Sequence, residues 1–328
     1  MADLLIWADG EVHGTSQFHQ VTTLRPASMA DNRDMHRSAR FRIAVAMLAI
    51  LSVSARAQAP QGVPAQPAQT PPAPTPQTLS DAYRLFYNAR YEEAAALAMS
   101  LREGGVQDLE NDEVRTSALI FQLRGLLNGQ DSQDNDNKSD KGEVLKRCVR
   151  CPEVMAAFMS DLHHGQALAR ARLKANPNDE EALFFLGKLD LNFVWLELGL
   201  LGHKTGWDEY WEARKALDAV LKQNPNHVRA RVARGWIDYI VNTRMPWGTR
   251  WILGGGNKKR GIAAVGDASK MDADLYTRAE AEFALWDINV REKNFTAATE
   301  VAQRLGRQFP DNQEVAKFLA NRSPGRGR

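Results

Sequence analysis

The sequence has few cysteines and little net charge. Two cysteines among 328 residues are too few for a fold built on disulfides, so the packing of apolar side chains must supply the stability. The 42 basic and 40 acidic residues nearly cancel, which argues against a chain that attracts nucleic acid through its overall charge. No segment alternates apolar and polar residues as strands do. We therefore expect an all-α protein that does not bind nucleic acid.

The sequence also lacks a recognisable catalytic constellation. Serines are sparse, and none stands on a nucleophile turn. His203, Asp208 and Glu209 are close in sequence, but helical proteins contain such triplets by chance. We therefore predict no enzyme activity, no catalytic residue, no cofactor and no metal site.

What is present before residue 58 has the organisation of a secretory signal. Basic residues at positions 33, 37, 40 and 42 precede Ile43–Val53, an uncharged run too short to span a bilayer. The small-x-small pattern Ala55-Arg56-Ala57 follows, so we expect cleavage after Ala57 and a periplasmic or secreted protein. An uncleaved anchor or a buried helix is the alternative. We also expect Met29 or Met35 to be the initiator, and no lipid anchor because no cysteine lies near the cleavage site.

The segment 58–78 contains seven prolines and no charge, which is typical of a semi-rigid, disordered spacer. A ligand for a proline-binding domain is the alternative interpretation. The expected organisation is an N-terminal extension with signal peptide at 1–57, the spacer at 58–78, a helical domain at 79–321 and a disordered tail at 322–328.

Within the helical domain, one spacing occurs three times. An aromatic residue precedes alanine by three positions in the pairs Tyr91/Ala94, Tyr210/Ala213 and Phe295/Ala298. Pro225 stands fifteen residues after Tyr210, and Pro310 stands fifteen residues after Phe295. Pro225 lies in an Asn-Pro-Asn sequence, and Pro177 lies in another. Gly187, preceded by Leu186, stands ten residues after Pro177, and Gly235 stands ten residues after Pro225.

The spacing has a physical meaning in helices. Residues three apart share one helix face, so a neighbouring helix can approach closely at the alanine. Proline after a helix stops it, and the glycine of the next helix should let that helix lie close against the one before. These positions resemble the tetratricopeptide repeat (TPR), whose consensus of about 34 residues has Leu-Gly early, an aromatic residue and Ala in the middle, and Pro at the end. We expect the aromatic, alanine and Leu-Gly positions to pack the repeat.

The resemblance implies a TPR-like α-solenoid of antiparallel helix pairs whose concave surface binds a protein or peptide partner. It implies a non-catalytic scaffold or adaptor of the bacterial cell envelope. Pro177 and Pro225 are 48 residues apart, so the units must carry irregular insertions. We expect three such units and a degenerate helix pair near 109–128; a non-repeating helical bundle is the alternative.

Cys148-Val-Arg-Cys151 is the sharpest local motif, and several roles fit it. Two cysteines three apart can form a disulfide, remain free thiols, exchange thiols or bind metal. In an oxidising compartment a disulfide is the first expectation. A periplasmic thiol–disulfide protein is the alternative function.

The segment Arg244–Gly261 holds five basic residues, two tryptophans and no acidic residue. Lys258 and Lys259 should fall in the first turn of a helix, where basic residues oppose the helix dipole unless an anion or acidic partner compensates. We predict a partner-docking or small-anion surface; an insertion whose tryptophans complete the core is the alternative. The candidate residues of this surface are Arg229, Arg231, Arg234, Arg244, Trp247, Arg250, Trp251, Lys258 and Lys259.

Two further segments favour ordinary structural roles. Leu183–Leu201 is strongly apolar, but Lys188, Asp190 and Glu197 favour a helix buried by its neighbours over a membrane span. Asp131–Asp140 has alternating oxygen ligands but lacks the Gly and Glu of an EF-hand loop, so we expect a solvated insertion.

Overall fold

The structure is a computed structural model that describes residues 77–103, 109–131, 141–203 and 205–322. The described chain is helical and forms no strand, which confirms the all-α prediction. The helices are α1 (Leu79–Tyr87), α2 (Tyr91–Glu103), α3 (Leu109–Asp131), α4 (Lys141–Arg147), α5 (Cys151–Ala175), α6 (Glu180–Val194), α7 (Trp207–Gln223), α8 (Val228–Arg244), α9 (Trp247–Arg250), α10 (Lys258–Ala268), α11 (Leu275–Arg291), α12 (Phe295–Gln308) and α13 (Gln313–Arg322). A π-helical turn, Trp195–Leu201, extends α6.

Several predicted features lie outside the described residues. These are the signal peptide with its cleavage site after Ala57, nearly all of the proline-rich spacer, the acidic tract after Asp131 and the tail from residue 323. No helix in the described part of the chain is long and apolar enough to cross a membrane, and this includes the apolar segment Leu183–Leu201.

Successive helices pack against one another in neighbouring pairs. The pairs are α1/α2, α3/α5, α6/α7, α8/α10 and α11/α12, so the described residues form five pairs where three units and one degenerate pair were expected. The additional pairs lack the complete set of aromatic, alanine and proline markers. The degenerate helix pair predicted near 109–128 is also wrong, because α3 runs without a break through this region. No proline interrupts it.

The three proline turns have the same construction. Pro177, Pro225 and Pro310 follow the ends of α5, α7 and α12, as their spacing predicts. Two positions after each proline, a side chain accepts a hydrogen bond from a backbone amide of the next helix. The acceptors are Asp179 Oδ1 for Ala182 N at 3.0 Å, His227 Nδ1 for Ala230 N at 3.2 Å and Asn312 Oδ1 for Val315 N at 3.0 Å.

Gly187 in α6 and Gly235 in α8 allow close helix contacts. Each contact is with a later helix of the chain and not with the preceding one. A Cβ at Gly187 would lie 3.3 Å from the carbonyl oxygen of Ala213 in α7. A Cβ at Gly235 would lie 3.1 Å from the carbonyl oxygen of Gly261 in α10. The expectation that these glycines contact the preceding helix is therefore wrong. The small residue is needed where the two helices of one pair cross.

The three aromatic/alanine pairs lie in the second helix of α1/α2, α6/α7 and α11/α12. Their alanines, Ala94, Ala213 and Ala298, are fully buried. Only Ala213 faces a glycine, because the partner helices α1 and α11 contain none. Ala94 and Ala298 therefore pack in the core without an opposing glycine. These two alanines lie in one large apolar core. The aromatic partners differ in burial: Tyr210 is buried, whereas Tyr91 and Phe295 are only partly buried.

The first and last parts of the helical domain are in contact. Helix α1 packs against α11. Asn312 Nδ2 donates a hydrogen bond to the carbonyl oxygen of Tyr87 at 2.8 Å, and Asn88 Oδ1 accepts one from Asp311 N at 3.1 Å. The ring of Tyr87 also lies 5.3 Å from that of Phe309, centroid to centroid. The two ends of the helical array therefore share one core.

Candidate functional site

Four buried charged residues meet where α3, α6, α8 and α11 face each other. Lys188 Nζ lies 2.8 Å from Glu280 Oε1 and 3.2 Å from Glu113 Oε1. Arg229 Nη2 lies 2.7 Å from Glu113 Oε2, and its Nε lies 2.6 Å from Glu280 Oε2. Burial alone would raise the pKa of Glu280, but the charges of Lys188 and Arg229 outweigh it and lower that pKa to about 2. We call these four residues the ionic cluster.

The ionic cluster extends to one further carboxylate, because Arg229 Nη1 lies 3.4 Å from Glu110 Oε1. The two positive and two negative charges of its four buried residues balance, and Tyr83 OH donates a weak hydrogen bond to Glu113 at 3.4 Å. Arg229, predicted as a partner-binding residue, has only 11% of its side chain exposed. It therefore acts between helices and is not accessible to a partner at the surface.

The other predicted basic residues do not form one anion site. Arg231 donates to the carbonyl oxygen of Pro225. Arg234 lies 2.7 Å from both Asp218 and Asp238. Lys258 pairs with Glu292, so the basic residue that opposes the dipole of α10 has an acidic partner within the chain.

Two further basic residues are spread along the same segment. Arg244 is partly buried, and this burial together with the charge of Arg291 lowers its pKa. Lys259 is exposed at the start of α10.

The segment after α8 instead presents apolar side chains to solvent. We call Pro246–Ile252, which includes the single turn α9, the aromatic protrusion. Trp247 is 85% exposed, Trp251 is 76% exposed and Ile252 is 54% exposed. The alternative that these tryptophans complete the core is therefore wrong. They are among the few large apolar side chains that the described residues leave in solvent.

The base of the aromatic protrusion is held firmly by α7. Tyr210 OH donates to the carbonyl oxygen of Leu253 at 2.8 Å, and Arg214 Nη1 donates to the same oxygen at 2.9 Å. Arg214 Nη2 donates to the carbonyl oxygen of Gly254 at 2.9 Å. Gly254 has φ of 73°, a left-handed conformation that favours glycine. The chain therefore fixes the protrusion while leaving its tryptophans uncovered.

Beside the protrusion lies an apolar cavity of about 170 Å³ between α6, α7 and α8. Its lining includes Trp195, Trp207, Tyr210, Trp236, Met245 and Leu253. Met245 and Leu253 flank the aromatic protrusion in sequence, so cavity and protrusion adjoin. Lys188 and Asn192 also line the cavity, but Lys188 belongs to the ionic cluster and Asn192 Nδ2 donates to Thr116 and Ser117. Apolar contact is therefore what the cavity offers.

One wall of the cavity is the π-helical turn, which sequence reasoning missed. π-Helical turns occur often at functional sites. A Cβ at Gly199 would lie 2.6 Å from Nε1 of Trp195, so this indole ring can cover the turn only because residue 199 is glycine. The spacing of a tryptophan and a glycine four residues later was the available signal in the sequence.

Cys148 and Cys151 form a disulfide between the end of α4 and the start of α5. Both cysteines are buried, while Val149 between them is 92% exposed. Burial of both sulfur atoms disfavours the attack that thiol exchange requires. Among the described residues, no group of three His, Cys, Asp or Glu side chains could hold a metal ion.

Comparisons do not assign the chain to a family: no family model matches it, and no curated protein or solved structure matches significantly.

Proposed function

We propose that the chain is a TPR-like α-solenoid that works as a non-catalytic scaffold of the bacterial cell envelope. The repeated proline turns and the two glycine contacts, at Gly187 and Gly235, support the repeat. The signal-like sequence before residue 58 supports the location. N-terminal sequencing of the protein from the periplasmic fraction tests it: the chain should begin at Gln58, and a chain that stays in the cytoplasm would contradict the location.

The partner of this scaffold is a protein or peptide that docks on the aromatic protrusion. The observation that carries this proposal is the exposure of Trp247 and Trp251 on a base fixed by Arg214 and Tyr210. Tryptophan and arginine are the residues that most often dominate the energy of protein interfaces. Because the base is already ordered, binding would cost little loop entropy.

Affinity capture from the envelope fraction, with matched variants, tests the docking proposal. A protein retained by the wild-type chain should be lost with the double variant Trp247→Ala/Trp251→Ala. The control is Val149→Ala, which removes an exposed apolar side chain between the two disulfide-bonded cysteines, far in sequence from the aromatic protrusion. Equal retention by all three proteins would show that the aromatic protrusion is not the docking surface.

A further inference from the structure

We propose that the apolar cavity binds the hydrocarbon chain of an anionic amphiphile, with the charged head group at the edge formed by Arg214 and Arg250. The site is distinct from the outer face of the aromatic protrusion, and the inference does not rest on the docking of a protein partner there. It follows from the lining, the size and the charges at the edge of the cavity.

The lining selects an apolar ligand. Trp195, Trp236 and Leu253 present rings and methyl groups, and the polar atoms of Lys188 and Asn192 already have partners within the chain. An apolar cavity of about 150 Å³ is large enough to bind benzene, so about 170 Å³ accommodates several methylene groups. A ligand with polar groups along its length would lose several hydrogen bonds to water, and among the lining side chains the indole N–H of Trp236 is a donor without a partner that could replace one of them.

The edge of the cavity selects a negative head group. Arg250 Nε donates to the carbonyl oxygen of Met245 at 3.0 Å, and Arg214 Nη1 donates to that of Leu253 at 2.9 Å. Each guanidinium group thus lies beside the backbone of a lining residue, next to the exposed protrusion. In the described ranges, neither arginine forms an ion pair with a carboxylate. Arg250 engages only its Nε, so its two Nη groups can take a carboxylate or phosphate. Arg214 uses its Nη groups for the carbonyl oxygens of Leu253 and Gly254 and contributes mainly its positive charge.

Aromatic side chains form the wall of the cavity, and one of them reaches solvent. The indole of Trp195 lies over Gly199, and it is the π-helical turn that brings this ring to the cavity. Trp207 stands at the start of α7 and is 42% exposed, so an aromatic ring lies partly in solvent at the cavity. The cavity is therefore open to a ligand that enters from the surface.

Isothermal titration calorimetry with free fatty acids, kept below micelle formation, tests the proposal on the purified protein. Affinity should rise about fourfold for each added methylene until the cavity is full, and then level off. A primary alcohol of the same chain length should bind about tenfold more weakly, because it lacks the charge. An alcohol that binds as tightly as the acid would overturn the anionic head group.

Two variants separate the cavity from unspecific binding. Ile240→Trp places a larger ring at a partly exposed lining position and should abolish fatty-acid binding. Ile262→Trp makes the same change on α10, outside the lining, and should bind as the wild type does. Arg250→Ala, which leaves the hydrogen bonds of Arg214 to the backbone in place, should weaken the acid about tenfold and leave the alcohol unchanged. Thermal unfolding shows that each variant is folded, and undiminished binding by folded Ile240→Trp would overturn the site.

Sedimentation with vesicles distinguishes the sources of such a chain. Binding to vesicles of phosphatidylglycerol, and not to vesicles of phosphatidylcholine, that is lost in Ile240→Trp would identify a membrane lipid as the ligand of the cavity. Binding to monomeric fatty acid alone would identify a soluble amphiphile. Both results support the shared chemistry, and binding to neither would overturn it.

Discussion

The ionic cluster and the aromatic protrusion are unusual in opposite ways. The ionic cluster buries four charges, which are expensive to remove from water, and each charge finds partners on other helices. The aromatic protrusion exposes two tryptophans, which gain free energy when they are buried, and the described chain does not cover them. A buried group with partners indicates a structural role, whereas an exposed apolar group on a fixed base indicates a partner outside the chain.

The largest effect is expected from breaking the ionic cluster. Lys188→Met removes one charge and leaves Glu113 and Glu280 close together around Arg229. We expect a loss of about 3–5 kcal/mol in the free energy of unfolding, measured by urea denaturation. Arg90→Met, which breaks the exposed pair with Glu93, is the control and should cost below about 0.5 kcal/mol. Similar losses for both variants would mean that burial does not decide the cost of the charge.

A buried carboxyl group outside the ionic cluster, that of Asp190, should make stability depend on pH. Burial, with the nearby charge of Glu212, raises the pKa of Asp190 to about 8. The folded state therefore holds a proton that the unfolded state releases near the ordinary pKa of 3.8. The contribution of Asp190 to stability should therefore fall as the pH rises from about 4 to 8, and change little above that range.

Asp190→Asn tests this dependence, because its amide cannot ionise. Urea denaturation of the variant at several pH values should show a flatter profile between pH 5 and 8 than the wild type. Asp208→Asn, which changes an exposed carboxyl group, is the control. A wild-type profile that rises over this range would contradict the raised pKa of Asp190.

A smaller effect is expected at the wall of the apolar cavity, where Trp195 lies over Gly199. Gly199→Ala forces the indole of Trp195 away from the π-helical turn, and such overpacking costs about 1–3 kcal/mol. Gly266→Ala is the matched control, since a Cβ there meets no atom within 4 Å and alanine favours a helix. Thermal unfolding should lower the Tm of the first variant and keep or raise that of the second. An unchanged Tm for Gly199→Ala would mean that the ring can move at no cost.

The smallest effect is expected at the protrusion itself. Trp247→Ala/Trp251→Ala removes side chains that contribute little to the folded core, so the free energy of unfolding should stay within about 0.5 kcal/mol of the wild type. Denaturation by urea measures it. A loss of several kcal/mol would show that the tryptophans pack within the chain, and the comparison between the two regions would fail.

The sequence predicted the features that depend on local spacing. The helical class and the proline turns follow from which residue types recur at which distances, whereas the helix that Gly187 contacts did not. The ionic cluster was not predictable in this way, because Glu113, Lys188 and Glu280 are far apart in the chain and only the packing of helices brings them together. For the same reason Arg229 could not be separated from Arg231 by sequence, although one is buried and the other is at the surface.

The contact between the two ends of the helical array affects how the protein folds. In an open array of repeats, each unit touches only its neighbours, and a unit can be removed from one end at modest cost. Here Asn312 and Asn88 join segments more than two hundred residues apart. Each end covers the apolar side that the other would leave bare, so the terminal helices serve as caps for each other. The helical domain should therefore unfold in one cooperative step, fold slowly for an all-helical protein, and tolerate truncation at neither end.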